Sequence, residues 1–204
     1  MSESAPVDAE IFDRIAPSGY YIALRLRFHA CVAVVNTLPA EWIDLYTGTG
    51  MLFVDPANRW ANTEIGAIRW SDIELEDPSG VLEQARRHGL RFGLTIAIAD
   101  RAGRPERSIA QLCRPDREFS DDEILVLEAE LRRRHDALAP PTNITPAEIE
   151  VLALVRAGLR QKEIAWRLGV SEGAIKQRLR NARHKLGAAN AAQATSIAAS
   201  FNLI

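Results

Sequence analysis

The sequence predicts an α+β chain: an N-terminal domain mixing helices and strands, then a small all-α domain. Three observations carry this. Strand-like alternation and helix-like periodicity trade places from the start of the chain to about residue 139. Pro140-Pro141-Thr142-Asn143 then breaks the pattern, because two prolines stop a helix and stiffen the chain. Beyond that break every periodic segment is helical, and the charge changes sign. Residues 142–204 hold nine Lys+Arg against four Asp+Glu, a net of +5, whereas residues 1–141 hold sixteen against twenty-three, a net of −7. The expected division is therefore 1–139, a linker at 140–143, and 144–204.

Taken in order, residues 7–15 read as a short helix. Tyr20–Phe28 alternates as a strand with Arg25 and Arg27 on one face, and Cys31–Val35 reads as a second strand. Pro39 opens a helix carrying Trp42, Leu45 and Tyr46, closed by Gly48 and Gly50. Val81–His88 is helical and stops at Gly89; Leu94–Ala99 and Ser108–Leu112 read as strands around a loop with Gly103 and Pro105. Ser120-Asp-Asp-Glu123 is a capping box, opening a helix with Ile124, Leu127, Leu131 and Leu138 at helical spacing and an end near Ala139.

In the second domain Thr145-Pro-Ala-Glu148 repeats the capping signature, and Gly158 closes that helix. A second helix covers Gln161–Leu168 and stops at Gly169. Ser171 caps a third, with Ile175, Leu179, Ala182 and Leu186 on its buried face. Ala188–Ala199 is a last helix of small residues, suited either to a dimer seam or to packing within its own chain.

Composition bounds the function. Hydrophobic content of 47% beside 25% charge is that of a globular domain, not a disordered chain. Cys31 and Cys113 stand far apart, and His29, His88, His135 and His184 share no metal-ligand spacing with cysteines or acids, so no metal or cofactor is expected. A phosphate-binding glycine loop and a nucleophile elbow are both missing, which argues against an enzyme. With no export signal and no apolar run long enough to span a bilayer, the expected location is the cytoplasm, away from membranes.

The exposed face of the third helix of the C-terminal domain holds Lys176, Gln177, Arg180, Arg183 and Lys185, with Arg178 flanking. Two short helices, a turn and a basic amphipathic helix form a shape that fits a DNA major groove. Ile144-Thr-Pro-Ala-Glu148, Leu152, Gly158, Lys162-Glu-Ile-Ala, Leu168-Gly-Val-Ser171-Glu, Ile175-Lys176 and Lys185-Leu-Gly together resemble the LuxR-type helix-turn-helix. Ser171-Glu-Gly-Ala-Ile-Lys-Gln-Arg-Leu is also similar to the promoter-reading region of sigma factors. The resemblance implies double-stranded DNA as partner, Lys176 and Arg180 as base readers, and Arg160, Lys162, Arg178 and Arg183 as phosphate contacts, with Gln177 beside them. Glu148 reads as structural, a carboxylate at a helix start.

In the N-terminal domain Trp42 and Tyr46, four apart, share a helix face, followed by Asp55-Pro56 and Trp70. From the residues alone two readings stand: a pocket for a small ligand with an apolar tail and polar head, or core aromatics with Asp55 capping a helix begun by Pro56. Glu41-Trp42-x-x-x-Tyr46, Asp55-Pro56, Trp70 and Gly89-Leu-x-x-Gly93 resemble the autoinducer-binding domain of quorum-sensing LuxR regulators. That resemblance implies an α-β-α sandwich holding an N-acyl-homoserine lactone: Trp42 to the lactone carbonyl, Asp55 to the amide N–H, Tyr46 to the acyl carbonyl, Trp70 as a wall, and Ser108 assisting the acyl carbonyl. It also implies a homodimer on an inverted-repeat operator, with RNA polymerase as a further partner. The segment before the first strand is short for the family, Leu38 stands where an aromatic is common, and Ala57 replaces a frequent hydroxyl. Alternatives are a regulator with a different ligand or none, a sigma-like factor, or a hydrolase bearing a DNA-binding tail.

Overall fold

The computed structural model describes residues 10–26, 31–100, 106–139, 141–201 and 203–204. The chain divides into two compact units, Met1–Leu138 and Ala139–Ile204. No helix among the described residues is long and apolar enough to cross a membrane.

Unit one is built on a five-stranded antiparallel sheet, ordered β2-β1-β5-β4-β3. Its strands are β1 (Gly19–Leu26), β2 (Ala33–Asn36), β3 (Gly66–Arg69), β4 (Phe92–Ala99) and β5 (Arg107–Arg114). Alternation along the three central strands splits the side chains between two faces. Tyr20, Ile22, Leu24, Leu94, Ile96, Ile98, Ala110 and Leu112 pack on one face against α1 (Glu10–Ile15) and α5 (Asp121–Ala137), through Phe12, Leu127 and Leu131. The other face carries Gly93, Thr95, Ala97, Ile109, Gln111 and Cys113. It is covered by α2 (Ala40–Gly48), α3 (Pro56–Thr63) and α4 (Val81–Arg87). Helices on both faces make the α-β-α sandwich.

Local chemistry accounts for most element ends. Ser120 Oγ accepts from the Glu123 N–H while Glu123 accepts from the Ser120 N–H, so the expected capping box closes α5 at its start. Gly50 sits at φ 68°, a left-handed turn after α2 that a side chain would resist. The edge strand β3 was not foreseen; it exists through its pairing with β4, Gly66↔Ala97 to Arg69↔Leu94. Residues 7–9, 27–28, 103, 105 and 140, which enter the expectations above, lie outside the described residues.

Arg25 departs from the expected alternation. A bulge between Ala23 and Leu26 leaves Arg25 at φ 53° with its side chain buried; Arg27, expected on the same face, lies outside the described residues. Its guanidinium reaches Glu106 at 2.5 Å, both oxygens of Asp100 at 3.0–3.1 Å, and the His135 carbonyl at 2.9 Å.

Unit two is all helical: α6 (Pro146–Arg156), α7 (Gln161–Leu168), α8 (Glu172–Lys185) and α9 (Ala191–Ser200) around Val151, Leu152, Ile164, Ile175, Leu179 and Ala182. Thr145 and Glu148 form the expected capping box, and Ser171 caps α8 through the Ala174 N–H. Ala194 and Ala198 of α9 are buried in this same core, so the small-residue helix packs within its own unit.

Candidate functional site

Trp42 lies on the buried side of α2, with the Tyr46 ring one turn on at 5.4 Å and the His88 ring at 5.6 Å. Met51, Val81, Ala85, Leu90 and Cys113 complete an apolar wall around them. Asp55 enters at the start of α3, where Oδ1 accepts from the Ala57 N–H at 2.8 Å. Its other oxygen accepts from Tyr46 Oη at 2.7 Å. Capping and contact with the aromatic site are therefore two uses of one carboxylate, not rival ones.

Burial sets the electrostatics here. It pushes the Asp55 carboxyl above its ordinary range, although the Tyr46 hydroxyl and the Ala57 and Asn58 N–H groups pull the other way. Tyr46 is held protonated by burial and by the neighbouring Asp55 charge. Burial also raises the Cys113 thiol, which leaves it an inert wall residue.

Trp70 follows β3 and lies flat on Gly93. A Cβ at position 93 would fall 1.9 Å from the indole, so only glycine permits this approach. Trp70 Nε1 donates to Thr95 Oγ1 at 3.1 Å and to Gln111 Oε1 at 3.3 Å, and the Thr95 hydroxyl donates to the same Gln111 oxygen at 2.7 Å. Tyr21, Gln111 and Thr95 are register partners, forming a polar row across one face of the sheet. The structure thus brings Trp42, Tyr46, Asp55 and Trp70 to one face.

Ser108 is on the other face. Its hydroxyl accepts from the Arg25 N–H at 2.9 Å and meets His135 Nδ1 at 2.7 Å, fully buried. It belongs with Arg25, His135 and Asp100 rather than with the aromatic site. Gln111, three residues on and of opposite parity, is the β5 side chain that does face the site. The signal was available: Gln111 is a large polar residue inside an apolar strand.

Two polar atoms of the aromatic site are unengaged. Among the described residues neither the Trp42 indole N–H nor the Gln111 amide nitrogen has a hydrogen-bond partner. Both atoms are open to solvent, so each can donate to water or to an incoming acceptor.

In unit two α7, the turn at Gly169 and α8 form a helix-turn-helix. Lys176, Gln177 and Arg180 are exposed on α8, and Gln177 donates to Asn181 at 2.8 Å. Lys185 departs from the expected basic face: its ammonium bonds both Glu148 oxygens at 2.8 and 2.9 Å, tying α8 to the start of α6. Arg178 is half-buried on the same flank as Lys185. Arg160 and Lys162 sit at the start of α7, where the Arg160 N–H donates to Glu163. Arg183 is anchored to the Ala189 carbonyl.

Known proteins share both halves. Residues 21–135 match the family model of the autoinducer binding domain, and residues 142–198 match that of bacterial regulatory proteins, luxR family. Regulatory protein SdiA of Escherichia coli is 29% identical over 188 residues, covering 85% of this chain and 77% of its own. Transcriptional activator protein VanR of Vibrio anguillarum is 29% identical over 176 residues, 79% and 72% of the two chains. The quorum sensing-dependent regulator RpaR of Rhodopseudomonas palustris is 29% identical over 188 residues, 85% and 75%. Among solved structures, SdiA in complex with octanoyl-rac-glycerol shares the fold, with a TM-score of 0.53 at 24% identity over 98% of this chain and 90% of that one. With a sensor-type sandwich and a helix-turn-helix each matched by its own model, the chain belongs to the LuxR-type transcription regulators, joining an autoinducer-binding domain to a LuxR-family DNA-binding domain.

Proposed function

We propose that the protein is a ligand-responsive regulator whose first unit takes a neutral, acylated small molecule, with an N-acyl-homoserine lactone as first choice. The carrying observation is the unengaged Trp42 indole N–H beside the Asp55–Tyr46 pair, set in a wall of apolar side chains. The head group gives a carbonyl oxygen to Trp42 and a donor to Asp55. The Gln111 amide donates to the acyl carbonyl; Tyr46, which gives its one hydroxyl proton to Asp55, meets that carbonyl by turning the proton toward it, and Trp70 walls the ring. None of these groups is a lysine or arginine, which favours a neutral head over a carboxylate. A hydroxylated acyl ester can offer the same acceptor and donor, and the SdiA complex with octanoyl-rac-glycerol supports it as a second ligand class.

The second unit reads DNA. Lys176 and Arg180, four apart on exposed α8, contact base edges with Gln177; Arg160, Lys162, Arg178 and Arg183 hold phosphates. As a homodimer the protein would set two α8 helices in successive major grooves of an inverted repeat, about one helical turn apart, within reach of RNA polymerase. Ligand burial stabilises the sensor fold by mass action, which links occupancy to regulation. Its place of work is the cytoplasm.

Native mass spectrometry after expression with a panel of acyl-homoserine lactones and monoacylglycerols tests the reading. Retention of one neutral acyl ligand and a raised melting temperature are expected. A folded, DNA-binding protein that retains none would end the sensor reading and leave the DNA-binding one.

A further inference from the structure

A cavity of about 560 Å³ opens on unit two, lined in part by Gln161, Lys176, Arg180, Arg183, His184 and Ala191. Two helices begin at its wall, α7 at Gln161 and α9 at Ala191. First-turn N–H groups lack intrahelical backbone partners, although Asn190 already caps the Gln193 N–H of α9, and both helix dipoles present their positive ends there. No aspartate or glutamate lines it.

Arg183 is the distinctive member. Its Nη2 is tethered to the Ala189 carbonyl, just before α9. Its Nε is buried and has no hydrogen-bond partner among the described residues. That atom lies beneath the surface, so it is the rest of the guanidinium that faces the cavity, and three cations around one concavity repel each other until an anion enters. Lys176 stands seven residues from Arg183, two helical turns along the same line of α8. Arg180 lies further round, toward the exposed crest with Gln177.

We infer that this cavity seats one backbone phosphate of a bound duplex, with Arg183 as the fixed donor and the α7 and α9 starts completing the seat. The inference rests on the DNA-binding reading and adds to it. Lys176 and Arg180 border the seat, so a phosphate held there sets the register at which they meet base edges. On the other flank of α8, Lys185 is bound to Glu148, which leaves Arg178 as its remaining basic group.

The test uses the full chain and a duplex that it enriches from random sequence. Single phosphates are replaced one at a time by neutral methylphosphonates, and affinity is measured for the wild type and for Arg183→Gln. At one phosphate position per bound copy, neutralisation should weaken the wild type roughly tenfold, the range of a charge-assisted hydrogen bond. The same change should weaken Arg183→Gln clearly less, leaving only the share of the helix starts and of the neighbouring cations. The salt slope of the variant should fall by about one charge. Equal responses of both proteins at every position would overturn the seat. Failure of the wild type to enrich any duplex would instead overturn the DNA-binding reading itself.

Should Arg183→Gln melt early for want of its Ala189 tether, Ala191→Pro decides by the same measurement. Proline suits the first position of α9, where Asn190 is already extended, and it removes one N–H from the cavity wall. Loss of affinity confined to the same phosphate supports the seat, and unchanged affinity at all positions overturns it.

Discussion

The two faces of the sheet in unit one treat buried polar groups in opposite ways. On the α5 face Arg25, Asp100, Glu106, Ser108 and His135 form a closed network. The guanidinium meets two carboxylates and a helix carbonyl, and Ser108 joins the Arg25 N–H to His135. On the α2 face Trp42 and Gln111 keep donors with no partner among the described residues, and Asp55 holds a raised pKa. The first arrangement is complete within the protein; the second leaves donors open to solvent. A satisfied network holds strands and helix in place, whereas open donors beside apolar side chains are available to the proposed ligand.

The largest expected effect comes from breaking the closed side. Arg25→Met strips Asp100 and Glu106 of their main counter-charge, and removing one partner of a buried ion pair costs about 3–5 kcal/mol. Urea unfolding should show that loss in the midpoint. Adding Glu106→Met should recover part of it, because the leftover buried charge is then removed. A loss below about 1 kcal/mol would mean that the network is as replaceable as a surface pair.

Opening the other side should cost ligand affinity and little stability. Asp55→Asn keeps an N-cap oxygen for Ala57 but loses the acceptor that Tyr46 uses and that the proposed lactone would share. The expected loss is roughly 1.5–3 kcal/mol in lactone binding by calorimetry, with the unliganded melting temperature nearly unchanged. The reverse pattern, a large melting shift with intact affinity, would make Asp55 a cap alone.

What the sequence disclosed follows the same division between local and distant chemistry. Ser120, Thr145 and Ser171 were readable as caps because their partners lie three residues away. Trp42, Tyr46 and Asp55 were readable as a group because they share one short stretch of chain. Arg25 was not, since its carboxylates lie 75 and 81 residues on and only they justify burying it at positive φ. Ser108 rests on the family resemblance alone, and which parity of β5 faces α2 has meaning only once its neighbours in the sheet are placed. The edge strand β3 has four residues, and β4 supplies the pairing that makes it a strand.

Acid should separate the faces by sign. Burial lowers His135 below its ordinary 6.5, so the unfolded chain binds the extra proton first. That group's stabilisation is present above 6.5 and is lost as pH falls toward the folded value. Asp55 runs the other way: its folded carboxyl is raised above 3.8, so its contribution is full at acid pH and is lost as pH rises through the raised value. Melting temperature against pH should therefore flatten just below 6.5 in His135→Gln, and above 3.8 should fall less steeply with rising pH in Asp55→Asn. Parallel curves for His135→Gln and wild type would place the imidazole outside the linkage.

The smallest expected effect is the most selective. Trp42→Phe keeps an aromatic ring against Tyr46 and His88 and removes the unengaged N–H. Without ligand that donor contributes nothing favourable, so the unliganded protein should lose only the packing of the larger ring, on the order of 1 kcal/mol. With a lactone bound, the loss should grow by about 0.5–1.5 kcal/mol, the net worth of one neutral hydrogen bond. The informative quantity is the difference between these two losses, from melting curves with and without lactone. In Trp70→Phe the missing N–H already had partners in Thr95 and Gln111, so the cost should appear in the unliganded protein as well. If both tryptophan variants show the same liganded-minus-unliganded difference, the Trp42 N–H is not aimed at a ligand.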